Sequence, residues 1–245
     1  MINPDPRGFY NETMPQKTGG EYEHARWHAN QILDAQYKMM VDALRRSVTR
    51  NVRGARNVLE VGPGPGTWTK LLLVKNDTAA YTLVDISHEM LAKAKNNLTD
   101  YANITFIESD FLAYEASRPH DFFFSSRAIE YMPDKMKVCG KIASLLLPGS
   151  FGALVTKMPK PLFDKVRGRA VSSLHSAQIG PAALTRLLRE NGFQIERVRI
   201  ATATVPLFGS VWLNKIAYHC LKHLPLFSPL SLFAESYVVT FRKIS

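Results

Sequence analysis

Glu60-Val-Gly-Pro-Gly-Pro-Gly66 follows a short apolar run, Asn57-Val-Leu-Glu-Val61, and precedes an amphipathic run that begins at Thr67. Glycines at every second position let a backbone turn tightly and approach a ligand closely. A strand, a glycine loop and a helix in that order offer helix N–H groups to an anion, as dinucleotide-binding folds do. The spacing here is GxGxG rather than GxGxxG, with Thr67 after the last glycine. A carboxylate, Glu60, stands two residues before the first glycine, where it would meet a positive group on a ligand. Pro63 and Pro65 each remove an N–H donor, which counts against any scheme that uses those two amides.

Outward from the loop, apolar runs alternate with amphipathic ones. Ala80–Asp85 predicts a second strand and Ser87–Asp100 a helix, with Ser87 as N-cap and Met90, Leu91, Ala94 and Leu98 on one face. Ile104–Glu108, Asp121–Ser125, Phe151–Thr156, Phe193–Thr204 and Ser236–Phe241 read as further strands. Thr67–Lys75, Lys135–Leu147 and Gly180–Asn191 read as helices, the second stopped by Pro148-Gly149. Upstream, residues 21–50 carry Tyr22, Trp27, Ile32, Leu33, Tyr37, Met40, Val41 and Leu44 at helical spacing. The opening twenty residues, polar and rich in Pro and Gly, predict a tail that stays loose until something covers it. Strands alternating with helices require a mostly parallel sheet with helices on both faces. The last two strands have only residues 205–235 between them, which allows an antiparallel pair at the sheet edge.

Parallel strands bring the glycine loop, Asp85 and Asp110 to one sheet end. A carboxylate such as Asp85 there suits a bidentate bond to a ribose diol. Asp110, after the third strand, would accept from an adenine amino group.

Composition narrows the classes. With 245 residues, 46% of them hydrophobic, the chain can build one sizeable core. Its two cysteines, Cys139 and Cys220, lie far apart without metal-ligand spacing, so neither a disulfide framework nor a metal is expected and a cytoplasmic setting is. The N-terminus has no apolar core of a secretory signal, and no apolar run approaches the roughly 18 residues of a membrane span. A net charge of +10 favours anionic partners: nucleic acid, acidic headgroups or phosphorylated substrates.

The ordered blocks EVGPGPGTWTKLL, TLVDIS, ITFIESDFL, FFFSSRAIEYMPD and LLLPGSFGALVTK together resemble the motif series of class I S-adenosylmethionine-dependent methyltransferases, over roughly residues 55–200. The resemblance implies an α/β fold: a Rossmann-like seven-stranded, mostly parallel sheet flanked by helices, its last strand antiparallel, under an N-terminal helical lid. Residues 1–52 would form the tail and lid, and 53–245 the Rossmann-like domain with a hydrophobic insert at about 205–233. It implies S-adenosyl-L-methionine as cofactor and S-adenosyl-L-homocysteine as product. Carried over by position, Gly62, Gly64 and Gly66 would line the methionine part and Glu60 would support the loop or the amino group. Asp85 would bind the ribose hydroxyls, Ile86 would pack on adenine, and Asp110 would contact its amino group with Phe111 alongside. Ser126 and Arg127 would border methionine and substrate.

A sulfonium methyl is already activated, so the protein has mainly to align the acceptor and exclude water, adding a general base where the acceptor is a hydroxyl. Glu130 and His175 are the preferred bases, with His24 and His28 as alternatives. Tyr22, Trp27 and His28 from the lid, with Tyr131 and Lys157, are the candidate substrate contacts. From Lys157 to Arg169 five cations face one acid, Asp164, a net of +4 that suits a phosphate or carboxylate on the acceptor. Residues 205–233, rich in Phe and Leu with Trp212, Tyr218 and interspersed Lys and His, suit a hydrophobic acceptor, a membrane surface or simple packing on the sheet. The expected activity is methyl transfer to oxygen or nitrogen of a small or amphiphilic acceptor, such as a lipid-linked saccharide or a natural-product intermediate. A nucleic-acid methyltransferase is the first alternative. Against it, no Asp/Asn-Pro-Pro-Tyr/Phe block follows the fourth strand, which runs on as Ser125-Ser-Arg-Ala. A non-catalytic S-adenosylmethionine-binding protein is the second, and a nicotinamide oxidoreductase the third. The sequence does not bear on oligomeric state.

Overall fold

The computed structural model describes residues 5–159, 177–205, 210–226 and 233–244. His175, the basic residues between 160 and 169, and parts of the 205–233 insert lie outside the described residues.

Seven strands form one sheet: β1 (Asn57–Val61), β2 (Ala80–Asp85), β3 (Ile104–Glu108), β4 (His120–Ser126), β5 (Leu146–Lys157), β6 (Phe193–Ala203) and β7 (Ala234–Lys243). Their spatial order is β3-β2-β1-β4-β5-β7-β6. Strands β1 to β5 pair in parallel, and β7 runs antiparallel to both β5 and β6. The expected antiparallel pair is therefore present, but β7 inserts between its partners and leaves β6, not β7, at the edge. Six consecutive buried residues, Ser236 to Phe241, bury both faces of β7, and only an interior position covers both.

The principal helices are α1 (Gln31–Ser47), α2 (Thr67–Leu73), α3 (His88–Asn97), α4 (Lys135–Leu145), α5 (Pro181–Glu190) and α6 (Val211–Leu221). Side chains cap several of them. The Asn30 carboxamide accepts from Ile32 and Leu33 N–H at 3.0 Å, and Ser87 accepts from Met90 N–H at 3.2 Å. Helix α4 stops two residues before its expected end, because Leu146 turns extended and pairs with His120 as the first residue of β5. Period-two alternation divides the core between the sheet faces. Phe123 joins Leu59, Leu154 and Val239 on one face, while Phe122 and Phe124 join Val58, Val155 and Val238 on the other.

The N-terminus, expected to stay loose until covered, is held against the rest of the chain. Pro6–Gly8, Phe9–Thr13 and Met14–Thr18 form consecutive helical turns, and His24–His28 forms a π turn before α1. Composition misleads here because the apolar residues of this segment spend their contacts on distant partners rather than on one another. Asn11 Oδ1 accepts from the Ser87 hydroxyl at 2.6 Å, Tyr10 meets Tyr131, and the Lys93 ammonium donates to Gly20 O at 3.0 Å. Helix α6, in the insert, lies on α1. The Tyr218 hydroxyl donates to Met39 O at 2.9 Å, and Lys222 and Arg46 pair with Asp42. No described helix is long and apolar enough to cross a membrane.

Candidate active site

The glycine loop leaves β1 at the sheet end from which β2, β3 and β4 also emerge. Its three glycines have φ of 68°, 57° and 84°, and a Cβ on Gly62 would stand 2.3 Å from that of Ala128. The prolines explain themselves in the hydrogen bonding. Gly62 N–H donates to Val84 O at 2.8 Å, Gly64 N–H to Asp85 Oδ2 at 3.2 Å and Gly66 N–H to Pro63 O at 3.1 Å. Every N–H that Pro63 and Pro65 leave in the loop is thus taken by the protein. The loop supplies shape with its own amides committed, and the helix N–H groups expected to face an anion are those that follow from Thr67.

Carboxylates dominate this side instead. Asp85 accepts from Gly64 N–H through one oxygen and from Ser87 N–H, at 3.0 Å, through the other, which leaves lone pairs for a further donor. Burial pushes its pKa up to about 6 against these backbone bonds. Glu60 lies beneath the loop, 1% exposed, and its Oε2 has no partner among the described residues. Burial pushes Glu60 up to about 8, with the Thr69 hydroxyl opposing and the Asp85 charge adding. Asp110 is exposed at the rim and accepts from Leu112 N–H at 2.8 Å.

A cavity of about 250 Å³ opens over the loop. Of the expected cofactor residues, Gly62, Gly64, Asp85, Ile86, Asp110 and Phe111 line it, as do Ser126 and Arg127. Glu60 and Gly66 do not: the first is underneath, and the second turns the chain into α2 against Leu98. The Ser126 hydroxyl is buried without a partner among the described residues.

A second cavity of about 340 Å³ adjoins the first. Tyr10, Tyr22, Arg26, Trp27, Arg127 and Tyr131 line both and form the shared wall. Tyr10 and Tyr131 hydroxyls are hydrogen-bonded at 2.6 Å, and both Tyr22 and Tyr131 meet the Tyr10 ring edge-on. Burial raises all three phenols above their ordinary value, Tyr131 to about 12. Tyr22, Trp27, Tyr131 and Lys157 thus gather where substrate contacts were expected, with Lys157 on the second cavity only. Tyr10 and Arg26 escaped the sequence reading. Their one signal was an aromatic and a cation inside otherwise polar segments.

Two expectations fail geometrically. His28 faces solvent, with Asp34 at 3.3 Å and the Tyr37 ring at 5.0 Å, and touches neither cavity. Glu130 is fully buried and lines neither cavity; its Oε1 contacts Arg127 Nε at 2.5 Å and accepts from Lys157 N–H at 2.8 Å. A carboxylate tied in this way positions its neighbours instead of facing an acceptor. Arg127 needs such support. It is the one non-glycine with positive φ among the described residues, at 66°, a conformation that costs about 1–2 kcal/mol. Burial works against its charge, and Glu130, Tyr131 and Glu235 together more than offset that.

A sheet ordered 3-2-1-4-5-7-6 with strand 7 reversed, carrying a glycine loop and carboxylates at the ends of its first three strands, defines a Rossmann-like methyltransferase scaffold. A family model described as a methyltransferase domain matches residues 58–149. Trans-aconitate 2-methyltransferase of Methylobacterium nodulans is 26% identical over 80% of this chain and 76% of its own length. Malonyl-[acyl-carrier protein] O-methyltransferase 1 of Ilyobacter polytropus is 32% identical over 44% of this chain, a match that spans only 40% of that relative. Among solved structures, magnesium protoporphyrin IX methyltransferase from Synechocystis superposes with a TM-score of 0.65 at 17% identity, covering 97% of both chains. Over residues 58–149, less than half of the chain, the match is to a methyltransferase domain, and the fold is that of the solved methyltransferases. The site suits their cofactor. Three carboxylates face or underlie a cavity without free loop amides, and the Ser126 hydroxyl on its wall, without a partner among the described residues, remains for a ligand's polar group.

Proposed function

We propose that this chain transfers a methyl group from S-adenosylmethionine to an oxygen or nitrogen of a small-molecule acceptor bound in the second cavity. The observation that carries this reading is the wall common to the two cavities, since a methyl can pass only between sites that touch. When bound, S-adenosylmethionine supplies a methyl already activated by the sulfonium charge. Asp85 would hold the ribose hydroxyls, Asp110 the adenine amino group, and Ser126 and the glycine loop the methionine part. The lid turns carrying Tyr10, Tyr22 and Trp27 would exclude water and set the acceptor in line. Small or carrier-bound acids are what the named relatives methylate, which supports a small acceptor over RNA.

Incubation with S-adenosylmethionine and either the small-molecule or the RNA fraction of a cell extract tests this. S-Adenosylhomocysteine is expected only with the former; release only with RNA would contradict the proposal.

A peripheral membrane contact is a second reading, supported by one feature of α6. Trp212 is 68% and Ile216 41% exposed beside Lys215, while Asn214, Tyr218 and Leu221 take the buried face. Flotation with liposomes containing anionic lipid should carry the protein upward, and Trp212→Ala should abolish this; no co-flotation rejects it.

A further inference from the structure

Charge in the second cavity is unevenly matched. Arg26 arrives from the π turn of the lid, Arg127 from the end of β4 and Lys157 from the end of β5. Three separate elements thus aim cations at one space of about 340 Å³. The Arg26 guanidinium rests on the Trp27 ring, 4.1 Å from its centroid, and no carboxylate pairs with it among the described residues. Burial lowers its pKa, with Arg127's charge adding; Lys157 is lowered by burial and by the same neighbour. Two carboxylates answer these three cations: Glu130, committed to Arg127 and the Lys157 amide, and Glu235, which also lines the cavity. Among the described residues one positive charge is left over. The rest of the lining includes Phe9, Met14, Leu33 and Met40, an apolar bed.

We propose that the second cavity binds an organic acid with an apolar body, that Arg26 and Lys157 select its carboxylate, and that a carboxylate oxygen accepts the methyl. This rests on the methyltransferase reading above and specifies the acceptor. One oxygen lies against the cations and the other is presented at the shared wall. That oxygen forms the new O–C bond as the C–S bond of the sulfonium breaks. The electron pair stays on sulfur, which becomes a neutral thioether, and the acid becomes a methyl ester. No proton has to leave, because a carboxylic acid is already ionised at neutral pH. The wall fits a reaction without a base. Its three phenols are held above their ordinary values, and Glu130 is turned away from both cavities.

Two measurements test this. The first is binding of trans-cinnamate, succinate and trans-aconitate, each against its uncharged amide, to protein loaded with S-adenosylhomocysteine. At least one acid should bind about tenfold or more tightly than its amide. Lys157→Gln and Arg26→Gln should erase that preference, Lys157→Arg should restore most of it, and Lys157→Gln should leave S-adenosylhomocysteine affinity unchanged. The second follows methyl-labelled S-adenosylmethionine in the small-molecule extract. Label fixed as a methyl ester is released by alkali as volatile methanol, whereas methyl ethers and methylamines are stable. Base-labile product supports the proposal. Base-stable product, amides that bind as well as acids, an unaltered preference in the Gln variants, or no acid bound to loaded protein overturns it while the cofactor reading stands. Failure of S-adenosylhomocysteine to bind would instead remove the reading beneath it.

Discussion

Glu60 lies under the glycine loop as a carboxyl with one oxygen unpartnered among the described residues and a pKa pushed up to about 8 by burial. In the unfolded chain the same group titrates near 4.5. Between these values the folded state holds the extra proton, so this group's contribution to stability falls as pH rises. Glu60→Gln keeps the shape without the charge. It should raise Tm at pH 8, by about 2–4 °C for each kcal/mol recovered, and leave it unchanged at pH 4. An equal shift at both pH values in differential scanning would contradict the assignment. Gly62 is constrained differently. At φ 68° and with Ala128 in the way, Gly62→Ala should cost about 1–3 kcal/mol and weaken cofactor binding with it, read by denaturation and titration. Both positions were legible in the sequence because their signal is local, a glycine spacing and a carboxylate two residues before it. Tyr10 was not, since its meaning lies in a partner 121 residues away.

Among the elements, Ser87 joins two tasks. Its hydroxyl caps α3 and donates to Asn11, so one atom ties the lid turns to the sheet end that carries Asp85. Ser87→Ala should cost about 1 kcal/mol from the lost cap and speed tryptic cleavage at Lys17; unchanged proteolysis would mean the lid is held elsewhere. Strands β1, β2 and β3 were readable to their end residues, because each is a short apolar run closed by glycine or a carboxylate, the first two buried and β3 half-buried at the sheet edge. The position of β7 was not. Antiparallel pairing follows from a short connection, but insertion between β5 and β6 depends on which faces are left to cover. The lid turns were missed for a related reason: a segment that packs on distant residues carries no periodicity of its own.

At the scale of the whole molecule, stability should respond to acid through His120. This residue starts β4, is 1% exposed, and neither ring nitrogen has a partner among the described residues. Burial lowers its pKa from 6.5 to about 4, with Arg118's charge adding and Asp121 opposing. Between those values the unfolded chain binds the extra proton, so the stability present above 6.5 drains away as pH falls toward 4. His120→Leu, which breaks no hydrogen bond, should flatten that decline in a pH series of urea melts; an identical slope would contradict it.

The fold, the two cavities and the carboxylates at the strand ends converge on one cofactor. Calorimetric titration with S-adenosylmethionine and S-adenosylhomocysteine tests this most directly, with NAD alongside. Both adenosyl compounds should bind in the micromolar range, Asp85→Ala should weaken them by about tenfold or more, and NAD should give no heat. Folded protein that binds neither below the millimolar range, or that prefers NAD, would contradict the account.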